Sequence, residues 1–317
     1  MFCLKRHRSC VSSIIIVTVS ALVFSACGSD TTDSHVTVKT TVSASRETRS
    51  NKAVVLVPVT GSTAVYGNES ITIDASYASE GYLTADYRGD NQKVKLQLTG
   101  SNEITYTYNL KNGSVCLPLT AGSGTYRVTV YENINGDQYA TAYSDAFDLT
   151  IKNIMGPYLY PNQYVDFSKG SKTVELGEVL AENAANDLEV IGAVYEYVIT
   201  NIDYDYDKAE NVESGYLPNV DKILSEKRGI CFDYAAVMAA MLRSQRIPTR
   251  LEIGYAGDAY HAWVSTYIKD IGWINGIIKF DGENWTLMDP TFAANSSEAD
   301  LKDFIGDGSN YATKYVY

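Results

Sequence analysis

Three side chains in this sequence have the types and the order that nucleophilic acyl transfer requires. Cys231 stands directly before FDYAAVMAAMLRSQ, a segment rich in the strong helix formers Ala, Met and Leu. The N-terminus of a helix stabilises a thiolate, the reactive form of cysteine, through its dipole and its unpaired N–H groups. His261 in AYHAWVSTY could activate that thiolate and protonate a leaving group, and Asp289 in NWTLMDPT could orient the histidine. The three residues predict a Cys–His–Asp catalytic site.

A helix and an antiparallel sheet must bring these residues together. Strand patterns occur near TRLEIGY, HAWVSTYI, GIIKF and NWTLMD, and FDGEN is a hairpin turn between the last two. Adjacent strands could then hold His261 beside Asp289, above the helix that presents Cys231. Upstream, TVELGEVLAENAANDLEVIGAVYEYVITNI has the apolar spacing of two helices, and DKILSEK is expected to form a short one. Residues 153–317 are therefore predicted to form an α+β domain.

These segments resemble the transglutaminase-like superfamily, whose members share a papain-like fold. The resemblance lies in GICFDYAAVMAAMLRSQRIPTRLEIGY, HAWV and WTLMDPT, and it covers roughly residues 185–295. It implies that Cys231 is the nucleophile, that His261 is the general acid and base, and that Asp289 orients the histidine. The chain is similar in particular to exported transglutaminase-domain proteins of Gram-positive anaerobes, in which an upstream β-domain is common.

The resemblance implies an enzyme that forms a thioester from a peptide carbonyl or a glutamine carboxamide. Water would resolve the thioester in a protease or amidase, and a second amine would resolve it in a cross-linking transglutaminase. The triad serves both reactions equally, and protein or cell-wall peptides are the expected substrates. One alternative is a catalytically inactive surface module that binds or assembles partners through its β-sandwich and papain-like scaffold. Another gives the main function to the β-domain, which would bind a partner or a polymer.

Neither a cofactor nor a metal site is expected. Asp203, Asp205 and Asp207 match the first three ligand positions of an EF-hand loop. Lys208 replaces the glycine of that loop, however, and Ser214 replaces its glutamate. Zinc is not expected either, because the folded body has a single histidine and no paired cysteines.

Several aromatic residues near the predicted triad are weaker candidates. Tyr204 and Tyr206 precede the nucleophile, and either could donate a hydrogen bond to an oxyanion. Trp263 and Trp285 could line a substrate groove, although core packing is an equal expectation. Gly229 permits a tight entry into the helix. Asp233 and Tyr234 are candidates for setting its start, and four alanines keep it slim enough to be buried: Ala235, Ala236, Ala239 and Ala240.

Residues 51–152 are predicted to be all-β. SITIDASY, KVKLQLTG, EITYTYNL, GTYRVTVYE and AFDLTI alternate with period two, and turn signals such as RGDN and KNGS separate them. Short strands at regular spacing favour an Ig-like β-sandwich. Cys116 in SVCLPL is expected to be a small buried hydrophobic residue.

The N-terminus is typical of an exported lipoprotein. Lys5, Arg6 and Arg8 precede an apolar run that is short for a membrane span and has the flanks of a signal peptide, predicted here as residues 1–26. The run ends at Cys27 in LVFSAC, a sequence similar to a lipobox, so Cys27 is the expected lipidation site. Residues 27–50 are polar and are interpreted as a flexible spacer. The expected location is extracytoplasmic, anchored to the membrane by lipid, or secreted if the lipobox is not used.

Charge excludes one class of partner. The chain carries 26 basic and 38 acidic side chains and no basic run. Binding to the phosphates of nucleic acid leaves a basic footprint, which is absent here. No nucleic-acid partner is therefore expected.

Overall fold

Two antiparallel sheets come first along the described part of the chain. The computed structural model describes residues 49–110, 113–274, 278–280, 285–287 and 311–317, with the backbone alone at 278–280 and 285–287. One sheet has the order β1-β2-β3-β6 and the other the order β5-β4-β7-β8. Their strands are β1 (Val65–Gly67), β2 (Ile71–Asp74), β3 (Tyr82–Tyr87), β4 (Val94–Thr99), β5 (Thr105–Leu110), β6 (Gly113–Pro118), β7 (Gly124–Asn135) and β8 (Gln138–Leu149).

The period-two alternation of the sequence decides which face of each strand is buried. In β5, Tyr106 and Tyr108 are buried while Thr105 and Thr107 are exposed. The buried side chains of both sheets belong to one hydrophobic core. Full burial of a Leu or Val side chain contributes about 1.5–3 kcal/mol. The predicted strands in this region are confirmed.

Helices follow the two sheets, and side-chain caps begin three of them. Asn186, Asp205 and Asn219 each accept a hydrogen bond from the backbone N–H three residues later, as N-cap residues do. The two helices predicted from the apolar spacing, and the short one after them, are confirmed. The elements of this part are α1 (Lys172–Leu180), α2 (Asp187–Asn201), β9 (Asp203–Tyr204), α3 (Tyr206–Asn211), α4 (Val220–Glu226), β10 (Arg228–Gly229) and α5 (Cys231–Ser244).

A third antiparallel sheet follows α5. Its order is β13-β12-β11-β16, and β14 pairs antiparallel with β15 in a separate two-stranded sheet. The pairing of these strands agrees with the sequence prediction, whereas residues 281–284 of the predicted turn lie outside the described residues. A Cβ on Gly254 would lie 2.0 Å from the carbonyl oxygen of Ala312, so only glycine fits where β11 bulges against β16. These strands are β11 (Thr249–Ala256), β12 (Ala259–Ile268), β13 (Gly272–Ile274), β14 (Ile278–Phe280), β15 (Trp285–Leu287) and β16 (Tyr311–Val316).

Helix α5 lies at the centre of this part of the molecule. It packs against α1, α2 and α4 and against β11 and β12. The four alanines that were predicted to keep this helix slim enough for burial are buried. Near its end, the fully buried Arg243 donates hydrogen bonds to the carbonyl oxygens of Tyr160, Thr249 and Tyr317. Strands β11 and β16 are thereby tied to the helix.

A tyrosine cluster joins the N-terminal sheets to the helical part. The rings of Tyr164 and Tyr317 stack with their centroids 3.7 Å apart. Tyr106 and Tyr108 of β5 meet Tyr317 edge-on, at 5.3 and 6.5 Å. Such pairs contribute about 0.5–1.5 kcal/mol beyond their buried area. These ring contacts fix β5 against Tyr317, and they thereby fix the residues on the exposed face of β5.

The first described residues lie against the helices. Arg49 forms an ion pair with Asp187 at 2.9 Å and donates to the carbonyl oxygen of Gln245. The predicted signal peptide, Cys27 and most of the predicted spacer lie outside the described residues. Within the described ranges, no helix has the length and apolar composition needed to cross a bilayer.

Candidate active site

Cys231 is the first residue of α5 and is half-buried. The preceding Ile230 has an extended backbone, and its N–H donates to the Asp233 carboxylate at 2.9 Å. A Cβ on Gly229 would lie 2.6 Å from the Cβ of Asp233, so the close approach of that carboxylate requires glycine there. Tyr234 donates from its hydroxyl to the carbonyl of Ile202. The prediction that Asp233 and Tyr234 help to set the helix start agrees with these contacts.

Asp233 also holds a loop against the helix start. The carboxylate is fully buried, and it accepts hydrogen bonds from the Tyr216 hydroxyl at 2.6 Å and from the Lys208 ammonium at 2.5 Å. Burial and the hydrogen bond to Asp233 raise the pKa of Tyr216 well above its usual value. The ammonium of Lys208 lies 4.2 Å from the centroid of the Tyr216 ring. Helix α3, which carries Lys208, and the loop that carries Tyr216 are thereby fixed beside the start of α5.

His261 lies on β12, opposite Gly254 of β11, and is buried. Its ring lies 6.1 Å from that of Trp263, which is itself buried and meets Tyr311 edge-on. Trp263 therefore packs behind the histidine. The side chain of Trp285 is not described.

Cys231 and His261 line the same cavity, which has a volume of about 850 Å³. The structure thus places two of the three predicted catalytic residues at one site. Asp289 lies outside the described residues, so its position relative to His261 stays a prediction. Within the described residues, the sheet partners of β12 are β11 and β13.

Among the described residues, seven aromatic side chains line the cavity. Tyr204 is among the lining residues, and Tyr206 is not. Burial raises the pKa of Tyr260, which follows the turn from β11 and precedes His261. An aromatic lining of this kind provides apolar surface together with hydroxyl donors. The aromatic residues are Tyr164, Tyr204, Tyr216, Phe232, Tyr260, Tyr315 and Tyr317.

The opposite wall consists of residues that the sequence analysis did not select. Lys95 of β4 and Thr105, Thr107 and Asn109 of β5 line the cavity. The alternation of the strands indicated that these side chains face outward, but no local pattern showed what they face. The sequence analysis did not select Tyr315 and Tyr317 either. They reach the site because β16 pairs with β11 and Tyr317 directly follows β16.

The aspartates of the rejected EF-hand pattern have structural contacts. Asp205 caps α3 and forms an ion pair with Arg228 at 3.0 Å. Asp207 lies 3.5 Å from the same guanidinium. Among the residues whose positions are described, no group of three or more His, Cys, Asp or Glu side chains could hold a metal ion.

A known protein family matches the part of the chain that holds Cys231 and His261. Residues 175–276 match the family model of the transglutaminase-like superfamily. These residues form a transglutaminase-like domain. Cys231 and His261 fall within it, whereas Lys95 and Thr107 lie outside it.

One curated protein aligns with the chain at low identity. The UPF0252 protein MJ1282 of Methanocaldococcus jannaschii is 26% identical over 235 residues, which are 63% of this chain. The match covers 62% of that relative, which is less than two thirds of its length.

Two solved structures align with most of the chain, at low identity and with low TM-scores. A presumed cysteine protease from Cytophaga hutchinsonii has 13% identity and a TM-score of 0.32, with 80% of this chain and 81% of the other covered. The periplasmic domain of TgpA from Pseudomonas aeruginosa has 14% identity and a TM-score of 0.34, with 75% and 77% covered.

Proposed function

We propose that this protein is a cysteine-dependent acyl-transfer enzyme with Cys231 as nucleophile, His261 as general acid and base, and Asp289 as the residue that orients the histidine. The observation that carries the proposal is the shared cavity: a cysteine at the first turn of a buried helix and a histidine on the neighbouring strand line one space. A thiol and an imidazole within such a site are the parts that covalent acyl transfer needs.

The reaction proceeds in two balanced steps. The Cys231 thiolate attacks the carbonyl carbon of a peptide bond or glutamine carboxamide, and the C–N bond breaks as His261 protonates the departing amine. A thioester remains on Cys231. His261 then removes a proton from water or from a second amine, which attacks the thioester and releases the free thiol. Water yields a carboxylic acid, and an amine yields a new amide.

The negative charge on the tetrahedral oxygen needs donors. The first N–H groups of a helix have no partner within the helix, so the backbone N–H of Cys231 is available to that oxygen. Tyr204 lines the cavity and Tyr206 does not, which favours Tyr204 as a second donor.

The remaining parts of the proposal concern location and partners. The chain is exported and anchored through lipid on Cys27, with the first two sheets as an Ig-like sandwich and residues 153–317 as the catalytic domain. Protein or cell-wall peptides are its substrates. The signal-like N-terminus and the alternation of residues 51–152 support these assignments.

Product analysis tests the reaction. The full-length chain is incubated with glutamine-containing peptides, with and without a primary amine, and the products are followed by mass spectrometry. Backbone cleavage indicates a protease, carboxamide hydrolysis an amidase, and an amine adduct a transglutaminase. Cys231→Ala should abolish the product, whereas Cys116→Ala, the matched control, should retain it. Activity that survives Cys231→Ala contradicts the proposal, and the absence of all three products favours a binding module instead.

A further inference from the structure

One wall of the candidate active-site cavity comes from strands outside the transglutaminase-like domain. Lys95 on β4 and Asn109 on β5 are cross-strand partners. Thr107 lies two residues before Asn109 on β5 and therefore on the same face of the sheet. All three line the cavity together with Cys231 and His261. A molecule that reaches Cys231 therefore contacts this sheet.

The cavity continues past the catalytic residues. A second cavity of about 410 Å³ shares Asn109, Gly215 and Leu217 with the first. A third, of about 440 Å³, shares Ser114 and Gln163 with the second. Because they share lining residues, the three cavities adjoin one another along the junction of the sheets and the helical part, and together they are called the groove. A series of adjoining cavities suits an extended chain better than a single amino-acid amide.

The edge of β5 along this groove is already occupied by side chains. The Asn109 N–H donates to Gln163 Oε1 at 2.9 Å, and Gln163 Nε2 donates to the Asn109 carbonyl at 2.7 Å. The Tyr164 hydroxyl donates to the Thr107 carbonyl at 2.6 Å. A bound chain cannot add to β5 as a strand at these positions, because the main-chain groups have partners. Recognition by this wall must therefore use side chains.

Two charged side chains of opposite sign line the cavity. Lys95 lies on β4, with its ammonium 4.8 Å from the centroid of the Tyr139 ring, and Glu213 lies in the loop after α3. Within the described residues, neither side chain forms an ion pair with another. A substrate can provide a partner to each.

We propose that Lys95 and the polar face of β4 and β5 form a substrate-selecting wall, which binds an extended polypeptide through an acidic side chain that pairs with Lys95. The proposal rests on the proposed acyl-transfer site for the position of the reacting carbonyl. An exposed charge pair contributes about 0.2–1 kcal/mol, so acidic peptides should bind up to about fivefold more tightly than basic ones.

Protection of Cys231 from iodoacetamide measures this preference in the full-length chain. The probes are two acetylated, amidated peptides with a central glutamine between glycines, one flanked by Glu residues and one by Lys residues. At pH 9 a thiol reacts whether or not a histidine activates it, so protection does not depend on catalytic activity. The modified Cys231 peptide is quantified by mass spectrometry, which separates it from the other cysteines.

In the wild type, protection of Cys231 should require a lower concentration of the Glu peptide than of the Lys peptide. Lys95→Glu should reverse the order of the two peptides, and Glu213→Lys should strengthen the preference for the Glu peptide. Lys93→Glu makes the same charge change at an exposed residue outside the cavity lining and should leave the order unchanged. High salt should weaken the preference.

Two results would overturn the inference: no protection by either peptide, or the same order of protection in the wild type and in Lys95→Glu. Failure of the proposed function gives a different result, the absence of products described above. The two failures are therefore distinguishable.

Discussion

Replacing Asp233 by alanine should destabilise the fold and slow the reaction of Cys231 at the same time, because one carboxylate holds both the helix start and the loop beside it. The variant leaves the buried Ile230 N–H without its acceptor, which costs about 1–3 kcal/mol. Removing one partner of a buried ion pair costs about 3–5 kcal/mol. The Lys208 side chain is 27% exposed and can be solvated in part, so the lower end of that range applies. We expect a loss of about 4 kcal/mol, the sum of the lower ends of the two ranges.

Thermal unfolding followed by circular dichroism at pH 7 measures this loss. A change of 1 kcal/mol shifts the Tm of a domain of 150–250 residues by about 2–4 °C, so Asp233→Ala should lower the Tm by roughly 8–16 °C. Tyr216→Phe removes one hydrogen bond to the same carboxylate and should cost about 1.5–3 kcal/mol. Asp207→Ala removes a carboxylate that is 94% exposed and serves as the matched control, with no measurable change expected. The reasoning is refuted if Asp233→Ala unfolds at the wild-type temperature, or if Tyr216→Phe is the more damaging change.

Three further predictions concern other parts of the molecule. Burial raises the pKa of the Cys116 thiol to about 12, so its thiolate fraction grows only as the pH rises towards that value. Below pH 9, iodoacetamide should therefore alkylate Cys231 far faster than Cys116, which peptide mass mapping measures. Arg243→Met leaves three main-chain carbonyls without their donor and should cost more than about 3 kcal/mol in urea unfolding; a cost below 1 kcal/mol would contradict the contacts. Gly215→Ala should destabilise by about 1 kcal/mol because its φ is +86°, whereas Gly192→Ala inside α2, with open space around it, should stabilise the protein.

The helix that carries Cys231 could be predicted because its signals are local. Helix propensity, the four alanines and the glycine two residues before Cys231 all lie within one short segment. His261 could be predicted because a strand pattern surrounds it and no other histidine lies in the predicted body. The strands that carry Lys95 and Thr107 were also predictable, since alternation is a local property.

The composition of the cavity could not be predicted in the same way. Lys95 and Cys231 are far apart in sequence, and their shared cavity results from the packing of β5 tyrosines on Tyr317. The role of Asp233 as the acceptor for Tyr216 likewise depends on how a loop folds back onto α5. Contacts of this kind are decided by tertiary packing, which short sequence patterns do not encode. The positions of Asp289 and Cys27 stay predictions.

The alkylation rate of Cys231 as a function of pH tests the central claim most directly. The full-length wild type and His261→Ala are treated with iodoacetamide, and the Cys231 peptide is followed by mass spectrometry. A free thiol has a pKa of about 8.5 and is mostly protonated at neutral pH. The account predicts fast alkylation well below pH 8 in the wild type and much slower alkylation in His261→Ala. Alkylation that rises only near the pKa of a free thiol, with no effect of the histidine change, would contradict it.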